Sequence, residues 1–440
     1  MSLPAALEYA RAHQPSLRAA QARLAAARAA TFVPRSEWLP QLGAAAELVG
    51  GTMNNSTASF VGVRTLDIAR VGASRIDPNA GLGDAYPSTL VGIGLRQQLF
   101  DFGRIAAQSA LYDIDVELSR HRADFEQLEV TLAVERTYYS VLAAKAVRTA
   151  TEEAYERARV RHDTVQASVR SGMRAPIDLT RVDADLTRFD VERTRAQGAI
   201  DAAQAVFAAA VGTPELLLDA TPDATSAPGA EGANEAAALP PIGQALQDAQ
   251  QRDPAVRMAL ARLRQQQATT HAVTMQLVPN LALSASLTGR AGGAPGTSGP
   301  SGVSGWLPEI PNWDVAVVFT APLFDGMVLA RRRASQAQEE VARAEVDVLT
   351  RQQQAAIQRA YGIYSVAHAT LRSLKAATEA ARRNYDQANA RFRAGLSNVV
   401  ELADAESLRT DAEIQLAVGT FEVAQARASF NRAIAEGASK

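Results

Sequence analysis

QQLFDFGR, residues 97 to 104, is answered later in the chain by APLFDGMV, residues 321 to 328. Leu99-Phe100-Asp101 returns as Leu323-Phe324-Asp325, 224 positions on in a chain of 440 residues. The rest of the chain follows the same pattern. ALEYARAHQPSLR (6 to 18) matches ALQDAQQRDPAVR (245 to 257) at an offset of 239, and Leu39-Pro40 matches Val278-Pro279 at that offset. The drop from 239 to 224 puts a longer insertion in the first copy, between residues 40 and 99. VRSGMRAPIDL (169 to 179) stands opposite FRAGLSNVVEL (392 to 402), with Gly172 facing Gly395. Both copies close on an Ala-containing helix and a Gly: FAAAVG (207 to 212) and FNRAIAEG (430 to 437). A period this long is a tandem duplication, not a solenoid. The reading is a first repeat over 1–212, a linker over 213–240 rich in Pro, Gly, Ala and Thr, and a second repeat over 241–440.

Each copy reads as helix, strand, loop, strand, very long helix, turn, helix. No Pro interrupts residues 104 to 168, and Leu111, Leu118, Phe125, Leu132 and Tyr139 recur every seventh position. A sustained heptad predicts helices packed as a coiled coil. The second long helix, over about 327–392, repeats the pattern with Ile357, Tyr364, Leu371, Tyr385 and Phe392. Short turns follow the long helices at 170–176 and 393–398.

The strands fall at about 41–50, 90–100, 279–289 and 313–324. PNLALSASLTG alternates strictly: Leu281, Leu283, Ala285 and Leu287 on one face, Ala282, Ser284, Ser286 and Thr288 on the other. QLGAAAELVG (41 to 50) is the weakest. Each is close to the roughly nine to eleven residues with which a tilted strand crosses a bilayer. Trp38, Trp306 and Trp313 lie near strand ends, as an interfacial aromatic belt would place them. Loops over 51–88 and 290–312 are long for a compact soluble domain and ordinary on one face of a membrane barrel. Ordinary half-buried strands of a soluble sheet remain the competing reading. Four strands cannot close a barrel, and open edges cannot sit in lipid. Membrane strands would therefore need several chains, and three chains would give twelve strands.

Composition narrows the function. Net charge is −2, which gives no strong electrostatic footprint for nucleic acid or an anionic membrane. There is no Cys, which excludes disulfides, thiolate metal sites and a cysteine nucleophile. No apolar run is long enough for a transmembrane helix. The start, MSLPAALEYARAH, has neither the basic nor the apolar region of a signal peptide, so the reading is an intracellular protein or a mature form. The five His, at 13, 121, 162, 271 and 368, show no ligand spacing. Gly92-Ile93-Gly94 lacks the third Gly of a phosphate loop, and no G-x-S-x-G occurs. Acidic and Arg residues alternate along the helices and read as solvated surface. The sequence predicts no enzyme, no cofactor and no metal site.

In this order and spacing the duplication, LFDFGR and LFDG after the second and fourth strands, and the R-x-G turns resemble the bacterial outer membrane efflux proteins, the TolC-like channels. The resemblance implies a mostly α protein with membrane β: a homotrimer whose long helices form an α-barrel, continued by a twelve-stranded transmembrane β-barrel with four strands per chain. It implies an outer-membrane site in a Gram-negative bacterium, in contact with outer membrane lipid, and a helical extension across the periplasm. The function implied is a passive exit duct for drug efflux or type I protein secretion, docked to a periplasmic adaptor and an inner-membrane transporter. Gly172, Met173, Arg174, Gly395, Leu396 and Ser397 would form the periplasmic tip and meet the adaptor. Aligned on Gly395, Glu401 and Asp404 take the places of entrance carboxylates, three apart on one helix face. Asp178 takes the place of an acidic latch residue. Ser397 stands where the family pattern has a basic latch partner, leaving Arg174 or Arg393 to replace it. Phe392 stands where the pattern has a hydroxyl-bearing aromatic. The alternative is a soluble coiled-coil scaffold or filament without channel activity, whose outward strand positions would be polar.

Overall fold

The computed structural model describes residues 1–52, 65–66, 81–83, 85–222, 242–292 and 310–436. In chain order its elements are α1 (Leu3–His13), α2 (Pro15–Ala30), α3 (Phe32–Arg35), β1 (Gln41–Thr52), β2 (Ala85–Phe100), α4 (Arg104–Arg170) and α5 (Pro176–Val211). The second half supplies α6 (Ile242–Arg252), α7 (Pro254–Thr274), β3 (Asn280–Gly292), β4 (Ile310–Thr320), α8 (Gly326–Arg393) and α9 (Val399–Ala433). At 1.5 Å per residue the 67 residues of α4 and the 68 of α8 each run roughly 100 Å. Trp306 and nearly all of both long loops lie outside the described residues. The chain divides into two compact units.

One unit holds the sheet, with residues 26–116 and 262–342. Its four strands are antiparallel in the order β1-β2-β3-β4. The register gathers one kind of side chain on each face. Leu42 pairs with Leu95, Ala44 with Ile93, Ile93 with Leu287, Leu283 with Val317, and Leu287 with Trp313. The other face carries Gly43, Gly94, Arg96, Ser284, Ser286 and Asp314. The apolar face is the exposed one: Ile93, Leu287, Trp313, Val315, Val317 and Phe319 are each 56–75% accessible. Ser284, Ser286 and Thr288 on the polar face are buried, and Ser286 Oγ donates to Asp314 Oδ2 at 3.3 Å. This inverts a soluble sheet and removes the feature on which the scaffold reading depended. Among the described residues β1 and β4 pair on one side only, leaving two open edges of 12 and 11 residues.

The recurrent LFD has one physical cause. Asp101, itself buried, accepts from the backbone N–H of Gly103 at 3.1 Å and of Ile105. Asp325 accepts from Met327 N–H at 2.9 Å and Val328 N–H at 3.2 Å. Each carboxylate satisfies donors that the first turn of a long helix leaves open, and complements the positive end of its dipole.

The other unit holds residues 1–25, 117–261 and 343–440. Its cores repeat as the sequence does. Ala10 and Ala249, offset by 239, are both buried, as are Phe207 and Phe430 at the ends of α5 and α9. Val134, Tyr138 and Val141 of α4 pack on Phe207, Ala208 and Val211 of α5 and on Ala6 and Ala10 of α1. Leu132 and Tyr139 of the heptad set, and Phe125 before them, are only half-buried in the single chain. The sequence between the repeats is not wholly a linker. Leu218 and Ala220 are buried in that same core, and Asp219 pairs with Lys145 at 2.6 Å. Residues 223–240 of the expected linker lie outside the described residues.

Candidate functional site: the helix-to-helix turns

The two turns at the far ends of α4 and α8 share one backbone design. Gly172 N–H donates to Val169 O at 3.0 Å, and Met173 N–H to Ser168 O at 2.9 Å. Gly395 N–H donates to Phe392 O at 3.1 Å, and Leu396 N–H to Arg391 O at 2.8 Å. These paired bonds form a Schellman cap, which needs a left-handed residue; Gly172 and Gly395 supply it at φ +74° and +73°. The return helices then start differently. Pro176 occupies the first position of α5, where its missing N–H costs nothing. The Asn398 side chain accepts from Glu401 N–H at 2.9 Å to start α9. Each cap pushes one apolar side chain into solvent: Met173 is 75% exposed and Leu396 72%.

The structure brings Arg174 and Phe392 together. The Arg174 guanidinium lies 4.0 Å from the Phe392 ring centroid, a cation–π contact between the two turns. Phe392 is buried with Val165, Val182, Ala388, Val399, Leu402 and Ala405, so α4, α5, α8 and α9 meet in one cluster. Among the described residues Arg393 reaches no carboxylate; it lines a cavity of about 310 Å³ with Arg157, Arg161 and Tyr385. Ser397 Oγ is buried and has no hydrogen-bond partner among the described residues. Glu401 and Asp404 are exposed on α9, and Glu401 lies 3.5 Å from Arg391. Asp178, half-buried in the first turn of α5, complements the helix dipole there.

Beside this cluster lies an ionic network that sequence reading assigned to solvated surface. Arg157 Nε donates to Glu406 Oε1 at 2.6 Å, and its Nη2 reaches Glu413 Oε2 at 3.4 Å. Glu413 Oε1 also accepts from Arg382 and Arg409, each at 3.0 Å. Arg161 donates to Asp185 at 3.0 Å. Glu406, Glu413 and Arg161 are all buried. Burial works against the Glu413 charge, but the hydrogen bonds from Arg409 and Arg382 outweigh it and hold its pKa below the ordinary carboxylate value. Burial also opposes the Arg157 charge, and Glu406 overcomes it, raising the Arg157 pKa. Burial, then the neighbouring Glu406, raises the Tyr385 phenol. The network ties α4 to α8 and α9. The signal was present: Leu402, Glu406, Thr410 and Glu413 follow the three-four spacing of a core stripe, with acids in apolar places.

The family model of outer membrane efflux proteins matches residues 6–213 and 245–436. The chain belongs to that family. No curated protein sequence matches it. Solved structures share its fold at low identity. The outer-membrane channel OprN is 22% identical, with a TM-score of 0.74, over 99% of this chain and 90% of that one. The Campylobacter jejuni CmeC outer membrane channel is 15% identical, with a TM-score of 0.76, over 99% and 86%. The Neisseria gonorrhoeae MtrE outer membrane channel, in its open state, is 19% identical, with a TM-score of 0.72, over 99% and 89%. As an outer membrane efflux protein the chain is a transport channel and not an enzyme. The family's place, and so the chain's, is the outer membrane.

Proposed function

We propose that three copies of this chain form an exit duct for efflux, a twelve-stranded β-barrel continued by an α-barrel that meets a periplasmic adaptor and an inner-membrane transporter. One observation carries the reading: a sheet with its apolar face outward and two long open edges. Unpaired backbone N–H and C=O groups in lipid cost several kcal/mol each, so β1 of one copy must pair with β4 of the next. This 440-residue sequence has no Cys, which gives a clean background for the test. Cysteine pairs placed along the outer edges, one of Ala44 or Ala46 with one of Val315 or Val317, should yield a covalently closed trimer on oxidation. Oxidised protein that stays monomeric for every pair would overturn the proposal.

The turns form the closed periplasmic entrance. Arg174 on Phe392 does the work that a basic residue at Ser397 would do, and the buried Arg157–Glu406–Glu413 network locks the helices behind it. Met173 and Leu396, the two exposed apolar tips, are the contacts offered to the adaptor together with Gly172 and Gly395. Threefold symmetry turns Glu401 and Asp404 into rings of carboxylates, which favour cations. The double variant Glu401→Gln, Asp404→Asn should lose most of the cation preference of the current, measured as reversal potential in a salt gradient. Unchanged selectivity would remove the rings from the account.

A further inference from the structure

One charged feature is left over by this reading. Arg331, Arg332 and Arg333 are consecutive in the second turn of α8, and all three are exposed. The first turn of α8 holds no acidic residue. The next acids along the helix are Glu339 and Glu340, beyond the three- or four-residue reach of helical ion pairs from any of the three. Among the described residues none of the three has a carboxylate partner. The helix dipole favours cations at the opposite end, so it gives them nothing. The first repeat places Ala107, Gln108 and Ser109 at the matching positions, 224 residues earlier, so the helix start does not require the triad. Three adjacent, mutually repelling guanidinium groups therefore oppose local stability with no internal compensation.

Their position supplies the compensation. The register puts Gln41, Asn280 and Thr320 at one end of the sheet, the end where the long helices begin. Next to that end along the chain come exposed apolar side chains, Trp38, Phe102, Leu323, Phe324 and Met327. Arg331 to Arg333 follow Gly326 by roughly 8–11 Å along the helix. Headgroup layers are roughly 5–8 Å deep, and Arg stems reach back toward them from below. Successive residues are about 100° apart, so the triad spans about 200° of the helix surface and at least one guanidinium faces outward in any packing.

We propose that Arg331, Arg332 and Arg333 form a headgroup site for anionic phospholipid in the periplasmic leaflet of the outer membrane, with the apolar collar above them holding the acyl chains. This rests on the membrane placement of the sheet. It fits the pairing of aromatic belts with basic residues at membrane surfaces.

The test is lipid retention by the detergent-purified full-length protein, titrated with phosphatidylglycerol or phosphatidylcholine and read by native mass spectrometry and melting temperature. The wild type should bind phosphatidylglycerol in preference and melt higher with it. R331Q/R332Q/R333Q should lose that preference by roughly fivefold per arginine removed, and R331K/R332K/R333K should keep most of it. Equal retention of the two lipids by the wild type, or an unchanged preference in the Gln variant, would overturn the proposal. A wild type that assembles and conducts without any lipid preference would reject the headgroup site and leave the duct intact. A protein that never enters a bilayer would reject both.

Discussion

Glu406→Gln is expected to destabilise the helical unit by about 3–5 kcal/mol, the usual cost of removing one partner from a buried ion pair. Glu406 is 1% exposed and is the direct partner of Arg157 at 2.6 Å. Arg161, also buried, lies 3.9 Å from its second oxygen. Without the carboxylate Arg157 keeps its desolvation cost and loses its nearest counter-charge, and Arg161 is left with Asp185. The control is Glu156→Gln, which breaks the exposed 2.8 Å pair with Arg159. An exposed pair is worth only about 0–1 kcal/mol, so that melt should barely move. Because the network joins α4 to α8 and α9, Glu406→Gln should also raise the resting current in a planar bilayer. Acid should mimic it. The Glu413 pKa is lower folded than unfolded, so its contribution is complete at neutral pH. That contribution fades as pH falls below the ordinary carboxylate value of about 4.3 toward the folded pKa. A melt of Glu406→Gln equal to wild type at neutral pH would show the network to be ornamental.

The second large effect lies in the sheet. Val315→Arg places a charge at the middle of β4 on the exposed apolar face, opposite Ala285. On the lipid face of a barrel, Arg near the bilayer midplane costs about 2–4 kcal/mol. Three copies multiply that cost, so assembly in the outer membrane should fall steeply. Ala316→Arg, one residue along, points to the polar face beside Ser284 and should assemble. Heat-resistant oligomer in membrane fractions is the readout. Equal assembly of both variants would mean that neither face meets lipid.

These two sites also mark what the sequence made legible. The sheet faces were readable because strand periodicity is local: Leu281 to Thr288 declare their sides by alternation. The caps made by Asp101 and Asp325 are equally local, each acid and its donors lying within five residues. QLGAAAELVG, weak by itself, becomes a 12-residue strand because β2 templates it pair by pair from Gln41 to Thr52. Tertiary context outweighs its small residues. The Arg157 network was missed because its members sit 249 and 256 positions apart and a charge pattern does not reveal which helix face is covered. For the same reason the sequence leaves Arg174 and Arg393 equal at the tip. Arg174 follows Gly172 and Arg393 precedes Gly395 in the same kind of turn, and of the two Arg174 lies over Phe392. Core positions such as Val134, Tyr138 and Val141 were displaced from the heptad set because α4 packs on both α1 and α5.

The most direct measurement of the central claim is the mass of the detergent-purified protein by light scattering, with planar-bilayer current recorded from the same sample. The account predicts a particle of three times the 46.7 kDa chain, a need for detergent, and a stable cation-preferring conductance. A particle of one or two chains, soluble without detergent and carrying no current, would contradict it.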